Sequence, residues 1–389
     1  MKFSKLMQRA GTETAFTVLA KAREMERQGK SVVHFEIGEP DFNTPENIKQ
    51  AGIKAIQDNF THYSPAQGVL ELREAVAEYI SKTRNIPVDP AEVVITPGGK
   101  DVILFTTMAL LDEGDEAIYP NPGYPIYESA IKIAGATPVP MPLLEENGFA
   151  FDREQFKKLI TPKTKLIIIN SPGNPTGGIL SKEDLQFIAD IAIKNDIMVL
   201  SDEIYSRIIY EGEFQSISSL PGMKERTIIL DGFSKTYAMT GWRLGYAVTT
   251  KEIAEQFTKL ATNSFSCVTT FVQMAGIEAL KGPQDDVEMM RKKYEERRNL
   301  IINGLNKIPG FSVKMPKGAF YAFANITGTG MTSKEISDYL LNEAGVATLP
   351  GTSFGKYGEG FIRFSYATSL DNIREGLKRV EEAVSKIKK

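Results

Sequence analysis

"DGFSKTYAMTGWRLGY", residues 231–246, decides how this chain is read. It overlaps the end of "RTIILDG", an apolar run that reads as a buried strand, and it leads into "LGYAV" (244–248), which reads as another. Between the two lie small turn residues, Ser234 beside Lys235, and Arg243. Cations placed where core strands end need a reason, because an unpaired buried charge is expensive.

Working outward, short apolar runs alternate with amphipathic helical stretches. "EVVITPGGK" (92–100) is a strand meeting a turn, followed by the helix "DVILFTTMALL" (101–111). "EAIYPNPGY" (116–124) repeats the pattern, with the helix "YESAIKIAG" (127–135) after it. "TKLIIINSPGNPTG" (164–177) runs into a proline and glycine loop and then the helix "SKEDLQFIADIAIKN" (181–195). "IMVLSDEIY" (197–205), "RTIILDGFSK" (226–235) and "LGYAVTT" (244–250) continue the series. Strands apolar on both faces, alternating with helices, predict an α/β fold with a mostly parallel sheet covered by helices. The ends differ. Residues 1–45 carry a helix, the strand "SVVHFEIG" (31–38) and a loop. From residue 285 a long charged helix precedes "FSVKMPKGAFYAFANI" and "GFIRFSYAT", whose alternation predicts an antiparallel sheet. The expected division is a large domain over 46–284 and a smaller α+β domain built from 1–45 and 285–389.

The 389 residues, 42% of them hydrophobic, are enough for a large core, and a net charge of −3 gives no pull toward nucleic acid or anionic membrane. The basic runs "RKKYEERR" (291–298) and "KIKK" (386–389) read as a solvated helix face and a frayed terminus. The lone Cys267 forms no internal disulfide and suits a reducing compartment. "MKFSKLMQRAGTETAF" has no signal-peptide core and no apolar run is long enough to span a bilayer, so the expected location is the cytoplasm. With only His34, His62 and one cysteine, no metal site is expected.

In open α/β sheets ligands sit beyond the carboxyl ends of the strands, so the polar residues just after each apolar run form a physical filter. It collects Gly98, Gly99, Lys100, Tyr124, Asn170, Asn174, Asp202, Tyr205, Ser234 and Lys235. "TPGGK" opens a helix whose amides and dipole can hold a phosphate, although a plain strand–helix turn explains it equally. It is neither a Walker loop nor a dinucleotide fingerprint. Asp202 suits an ion pair, a helix cap, or the cationic ring nitrogen of a cofactor. Lys235 is open to snorkelling or to a depressed pKa and a Schiff base. Arg243 and Ser234 would then be phosphate ligands. Arg363, alone in the strand "FIRFSYA", pairs with an acid or receives a substrate carboxylate through its fork.

"GFSKTYAMTGWRLG" (232–245) resembles the lysine signature of the class I pyridoxal-phosphate-dependent aminotransferases, the aspartate aminotransferase superfamily of fold type I. "HYSPAQGVLELREAVAEY" (62–79), "TPGGKD" (96–101), "PNPGYPIYE" (120–128), "NSPGNPTG" (170–177), "SDEIY" (201–205) and "IRFSYA" (362–367) are similar to family segments in the family's order. The resemblance runs from about residue 30 to the C-terminus. It implies a seven-stranded type of sheet and a small domain that closes over the site. It implies pyridoxal 5'-phosphate on Lys235, its ring nitrogen on Asp202, its O3′ on Tyr205 and Asn174, and Tyr124 stacked on the ring. Ser234, Arg243 and the Gly99–Lys100 amides would hold the phosphate, with Tyr63 reaching in from the partner subunit of a homodimer. Arg363, Asn174 and the Gly38 backbone would take the substrate carboxylate.

The implied reaction is ping-pong transfer of an amino group from an L-amino acid to a 2-oxo acid, with 2-oxoglutarate the expected acceptor and Lys235 moving the Cα proton. A lyase on the same scaffold, such as a C–S β-lyase or a γ-eliminating synthase, shares these residues and is the alternative. A cofactor-sensing DNA-binding regulator is a third, opposed by the lack of a basic helix-turn-helix extension before residue 30. Tyr124 stands where some relatives have tryptophan, and no second arginine is placed to bind an acidic side chain, which puts aspartate specificity in doubt. Phe16, Tyr321 and Phe354 form either an apolar side-chain pocket or ordinary core. "NSFSCVTT" (263–270) is expected to reach a partner's site.

Overall fold

The structure, a computed structural model, describes residues 3–387. Met1, Lys2, Lys388 and Lys389 lie outside the described residues, and with them the end of the "KIKK" run. The central sheet contains β1 (Val93–Thr96), β2 (Glu116–Asn121), β3 (Thr137–Pro142), β4 (Thr164–Asn170), β5 (Met198–Asp202), β6 (Thr227–Gly232) and β7 (Gly245–Val248). Its order is β1-β7-β6-β5-β4-β2-β3 in one 7-stranded sheet. All pairings are parallel except those of β7, which runs antiparallel to both β1 and β6.

Apolar chemistry fixes this layer. Leu166, Ile167 and Ile168 of β4 are fully buried, as are Val199 and Leu200 of β5. Successive side chains point to opposite faces, so both faces must be covered. One face packs on α2 (Gly99–Leu110), α3 (Ile126–Ala134) and Lys251–Ser264, the other on Lys182–Asn195. Each such aliphatic side chain contributes roughly 1.5–3 kcal/mol.

Two strand readings change. β3, "TPVPMP", was not anticipated, because Pro138, Pro140 and Pro142 break a strand pattern; at the sheet's edge the missing N–H groups cost little. The strand expected over 31–38 shrinks to Val33–His34, which pairs with Val346–Ala347. The segment after it is held to two neighbours instead, with Phe35 N donating to Ala347 O and Ser365 N donating to Phe35 O.

The C-terminal part forms a 4-stranded antiparallel sheet of β8 (Ser312–Val313), β9 (Tyr321–Asn325), β10 (Leu349–Pro350) and β11 (Phe361–Ser365). The long α4 (Asp285–Leu305) packs against it. Its basic run corrects the expectation of a solvated face. Lys292 and Lys293 are exposed, but Arg297 and Arg298 are buried. Arg297 grips Asp41 with two bonds of 2.6 and 2.9 Å, and Arg298 reaches Glu211 and the Pro316 carbonyl. Their stems add packing that a surface lysine does not. Among the described residues no helix is long and apolar enough to cross a membrane.

Candidate active site

A cavity of about 510 Å³ opens at the carboxyl ends of β1, β4, β5 and β6, facing β11. Gly38, Gly99, Lys100, Tyr124, Asn174, Asp202, Tyr205, Ser234, Lys235, Arg243 and Arg363 all line it. Tyr63 does not; it is 92% exposed in the loop that leads to the helix Leu70–Arg84.

Asp202 ends β5 and is buried. The Tyr127 hydroxyl donates to its Oδ2 at 2.6 Å, and the Ile204 amide donates to Oδ1 at 3.2 Å. Burial pushes the carboxyl up to about 6, against the opposing pull of the Tyr127 hydrogen bond. Lys235 lies just past β6, and its Nζ donates to the Gly38 carbonyl at 2.6 Å with the Phe320 ring 5.8 Å away. Burial brings this amine down to about 8. The neutral amine is therefore accessible near physiological pH, as a nucleophile or proton acceptor requires.

One end of the cavity is built from glycine. Gly98 caps α2 at φ +104°, and a Cβ there would stand 2.5 Å from the Arg243 guanidinium. A Cβ on Gly99 would stand 2.8 Å from Leu230. These two glycines let a helix N-terminus approach β6 closely, leaving free amides and the positive dipole end facing Ser234 and Arg243. Arg243 itself has φ +55°, and Ala238 in the same loop has φ +51°. Such left-handed residues cost roughly 1–2 kcal/mol each. The turn directs the Arg243 guanidinium onto the cavity, where it donates to Thr240 O at 2.8 Å. Arg243 is exposed at the cavity edge.

Arg363, on β11, is 4% exposed. It donates to Asn174 Oδ1 at 2.9 Å and to the Glu36 carbonyl at 2.6 Å, and its Nε has no partner among the described residues. The rings of Tyr321 and Phe354 lie 4.4 and 4.8 Å from the guanidinium. These two aromatics clamp Arg363, while Phe16 stays 60% exposed near Lys100. The Tyr205 and Tyr321 hydroxyls are 2.6 Å apart. Tyr124 meets Tyr127 edge-on at 5.7 Å and donates to Glu13 at 3.2 Å.

Sequence reasoning missed Tyr127 and Glu13. Tyr127 comes from a helix face and reads as core by its period. Glu13 precedes the helix α1 (Thr14–Arg27) at its N-cap, where a glutamate carries no motif signal. None of residues 263–270 lines the cavity, but Thr270 Oγ1 donates to the His62 carbonyl at 2.7 Å, beside Tyr63.

The donor set suits a phosphorylated pyridine aldehyde: amides, hydroxyl and guanidinium at one end, a buried carboxylate for a ring N–H, and a primary amine near neutrality.

Comparison with known proteins agrees. The family model "Aminotransferase class I and II" matches residues 30–380. An aspartate aminotransferase of Pyrococcus abyssi is 45% identical over 91% of this chain and 92% of its own length. An aromatic-amino-acid aminotransferase of Thermococcus litoralis is 44% identical over 92% of this chain and 93% of its own. A solved aspartate aminotransferase of Thermus thermophilus with maleate superposes with TM-score 0.95 at 38% identity, covering 98% of this chain and 100% of that one.

Proposed function

The chain belongs to the class I aminotransferases, pyridoxal-phosphate-dependent enzymes that exchange amino groups between amino acids and 2-oxo acids, and within that family we propose the following roles for its residues. Bound pyridoxal phosphate supplies an electron-withdrawing ring that acidifies the substrate Cα–H. Ser234, Arg243 and the Gly99–Lys100 amides would hold its phosphate. Asp202 would keep a proton on the ring nitrogen, Tyr205 and Asn174 would bond the phenolic oxygen, and Tyr124 would stack on the ring. Arg363 binds the substrate carboxylate with help from Asn174 and the Gly38 backbone, fixing Cα over Lys235. The Lys235 amine takes the Cα proton and later returns it. One observation carries this reading: a buried lysine with its amine brought down to about 8, in one cavity with a buried aspartate and a carboxylate-sized arginine fork.

We propose 2-oxoglutarate as the acceptor, residues 46–284 as the cofactor domain, and 1–45 with 285–389 as a smaller domain that closes on it. Support for closure is that Arg363 and Gly38 come from the second group and contact Asn174 and Lys235 of the first. A homodimer with shared sites is supported by the outward Tyr63 and by Thr270 bonded beside it. A cytoplasmic location fits the lone Cys267. The test is a panel of L-amino acids with 2-oxoglutarate, pyruvate or oxaloacetate. Stoichiometric appearance of a new amino acid and a new oxo acid supports the reading. Ammonia and pyruvate released without an acceptor would replace it with elimination.

A further inference from the structure

Glu36, whose carbonyl holds Arg363 Nη2 at 2.6 Å, is itself a buried acid, and none of these roles uses its side chain. It is 0% exposed, and among the described residues His34 is the one cation that pairs with it. His34 Nδ1 lies 2.8 Å from Glu36 Oε1, and His34 Nε2 lies 3.1 Å from Oε1 of Glu26 on α1. Carboxylates accept, so both ring nitrogens carry hydrogens and the imidazole is a cation. The Glu36 hydrogen bond, aided by Glu26 and opposed by burial, pushes this imidazole up to about 9. Glu36 Oε2 has no partner among the described residues, so His34 is the whole anchor of this carboxylate.

The backbone around Glu36 needs that anchor. Phe35 is tied to Ala347 and Ser365, but residues 36–38 make no backbone–backbone hydrogen bond among the described residues. Yet this stretch carries two site contacts, the Glu36 carbonyl on Arg363 and the Gly38 carbonyl on Lys235. Resting on the reading of Arg363 as the carboxylate receptor, we propose that His34 is a positioning residue for substrate binding: through Glu36 it fixes the carbonyl that aims the Arg363 fork. Without the imidazole, residue 36 has neither a side-chain partner nor a ladder bond, and its carbonyl is free to leave Arg363. Amino acid and oxo acid both present a carboxylate to Arg363, so both lose affinity together.

The test measures Tm, kcat and KM on the cofactor-loaded enzyme, with one amino acid and one oxo acid from the panel above. His34→Leu should raise KM about tenfold for both, the worth of one hydrogen bond to a charged group, with kcat within about twofold. His34→Asn keeps an amide donor in place of Nδ1 and should hold KM within about threefold. Because His34→Leu also strands a buried charge, the double variant His34→Leu/Glu36→Gln separates positioning from stability. It should recover Tm while its KM stays raised. A KM that returned together with Tm, or that never moved in His34→Leu, would overturn the proposal. Arg363→Lys is measured beside them. If its KM were also unchanged, the Arg363 reading itself would fall, and this proposal with it.

Discussion

Lys235 donates to the Gly38 carbonyl at 2.6 Å, so the segment after residue 35 reaches across to the end of β6. Gly38 has no room for a side chain, because a Cβ there would stand 2.1 Å from the Tyr321 hydroxyl. Gly38→Ala must push Tyr321 away from Tyr205 and loosen the clamp on Arg363. The expected loss is roughly 1–3 kcal/mol of stability by chemical denaturation, the usual cost of overpacking, with a higher KM for both substrates. Unchanged stability and KM would mean that this contact does not constrain the site.

Asp202 gives a pH prediction for the cofactor-free protein. Its folded-state pKa, about 6, lies above the ordinary aspartate value of 3.8. The stability supplied by the protonated form is therefore fully present below about pH 4 and lost as pH rises through 6. Asp202→Asn, which can still accept from Tyr127, should be more stable than the wild type by roughly 2–3 kcal/mol at pH 8 and lose that advantage near pH 4. The same variant should bind cofactor more weakly at pH 8. Melting curves and cofactor titrations check both halves. Tyr127→Phe removes a bond that lowers the Asp202 pKa, so the acid limb of its pH–rate profile should move to higher pH.

For Arg363, the fork matters more than the charge. Arg363→Lys keeps a cation but cannot serve Asn174, the Glu36 carbonyl and a carboxylate together. Its kcat/KM should fall roughly a hundredfold with amino and oxo acid alike, mostly through KM, while cofactor absorbance is retained. A defect confined to one substrate would argue that Arg363 reads side chains.

Behind the site, Arg84 donates to Glu203 at 2.7 Å and to Asp231 at 2.9 Å, with all three side chains buried. Arg84→Met would leave two buried carboxylates unanswered and should cost roughly 3–5 kcal/mol, read as a fall in Tm. A Tm within error of the wild type would contradict this account of the cluster.

How far the site was legible follows from where its residues sit. Asp202 and Lys235 end apolar strands, so hydrophobic pattern and the strand-end rule point to them directly. Arg363 stands out as the one charge in an apolar run. The antiparallel sense of β7 leaves no mark, since a strand buried on both faces looks the same in either direction. β3 was hidden by prolines that only an edge tolerates. Tyr127 and Glu13 were silent for another reason: one presents an ordinary helical period and the other an N-cap without a capping bond. Their roles arise from contacts between distant segments, Tyr127 with Asp202 and Glu13 with Lys100. For Phe354 and Tyr321 apolar type alone left pocket and ordinary core open, because it cannot reveal that both line the cavity and face a guanidinium.

The central claim is that the amine of Lys235 is the cofactor's attachment point. Incubating the protein with pyridoxal phosphate, reducing with borohydride and mapping the peptides tests it most directly. The account predicts the reduced cofactor's mass on Lys235 alone, and none after Lys235→Ala. Modification of a different lysine, or of none in the wild type, would contradict it.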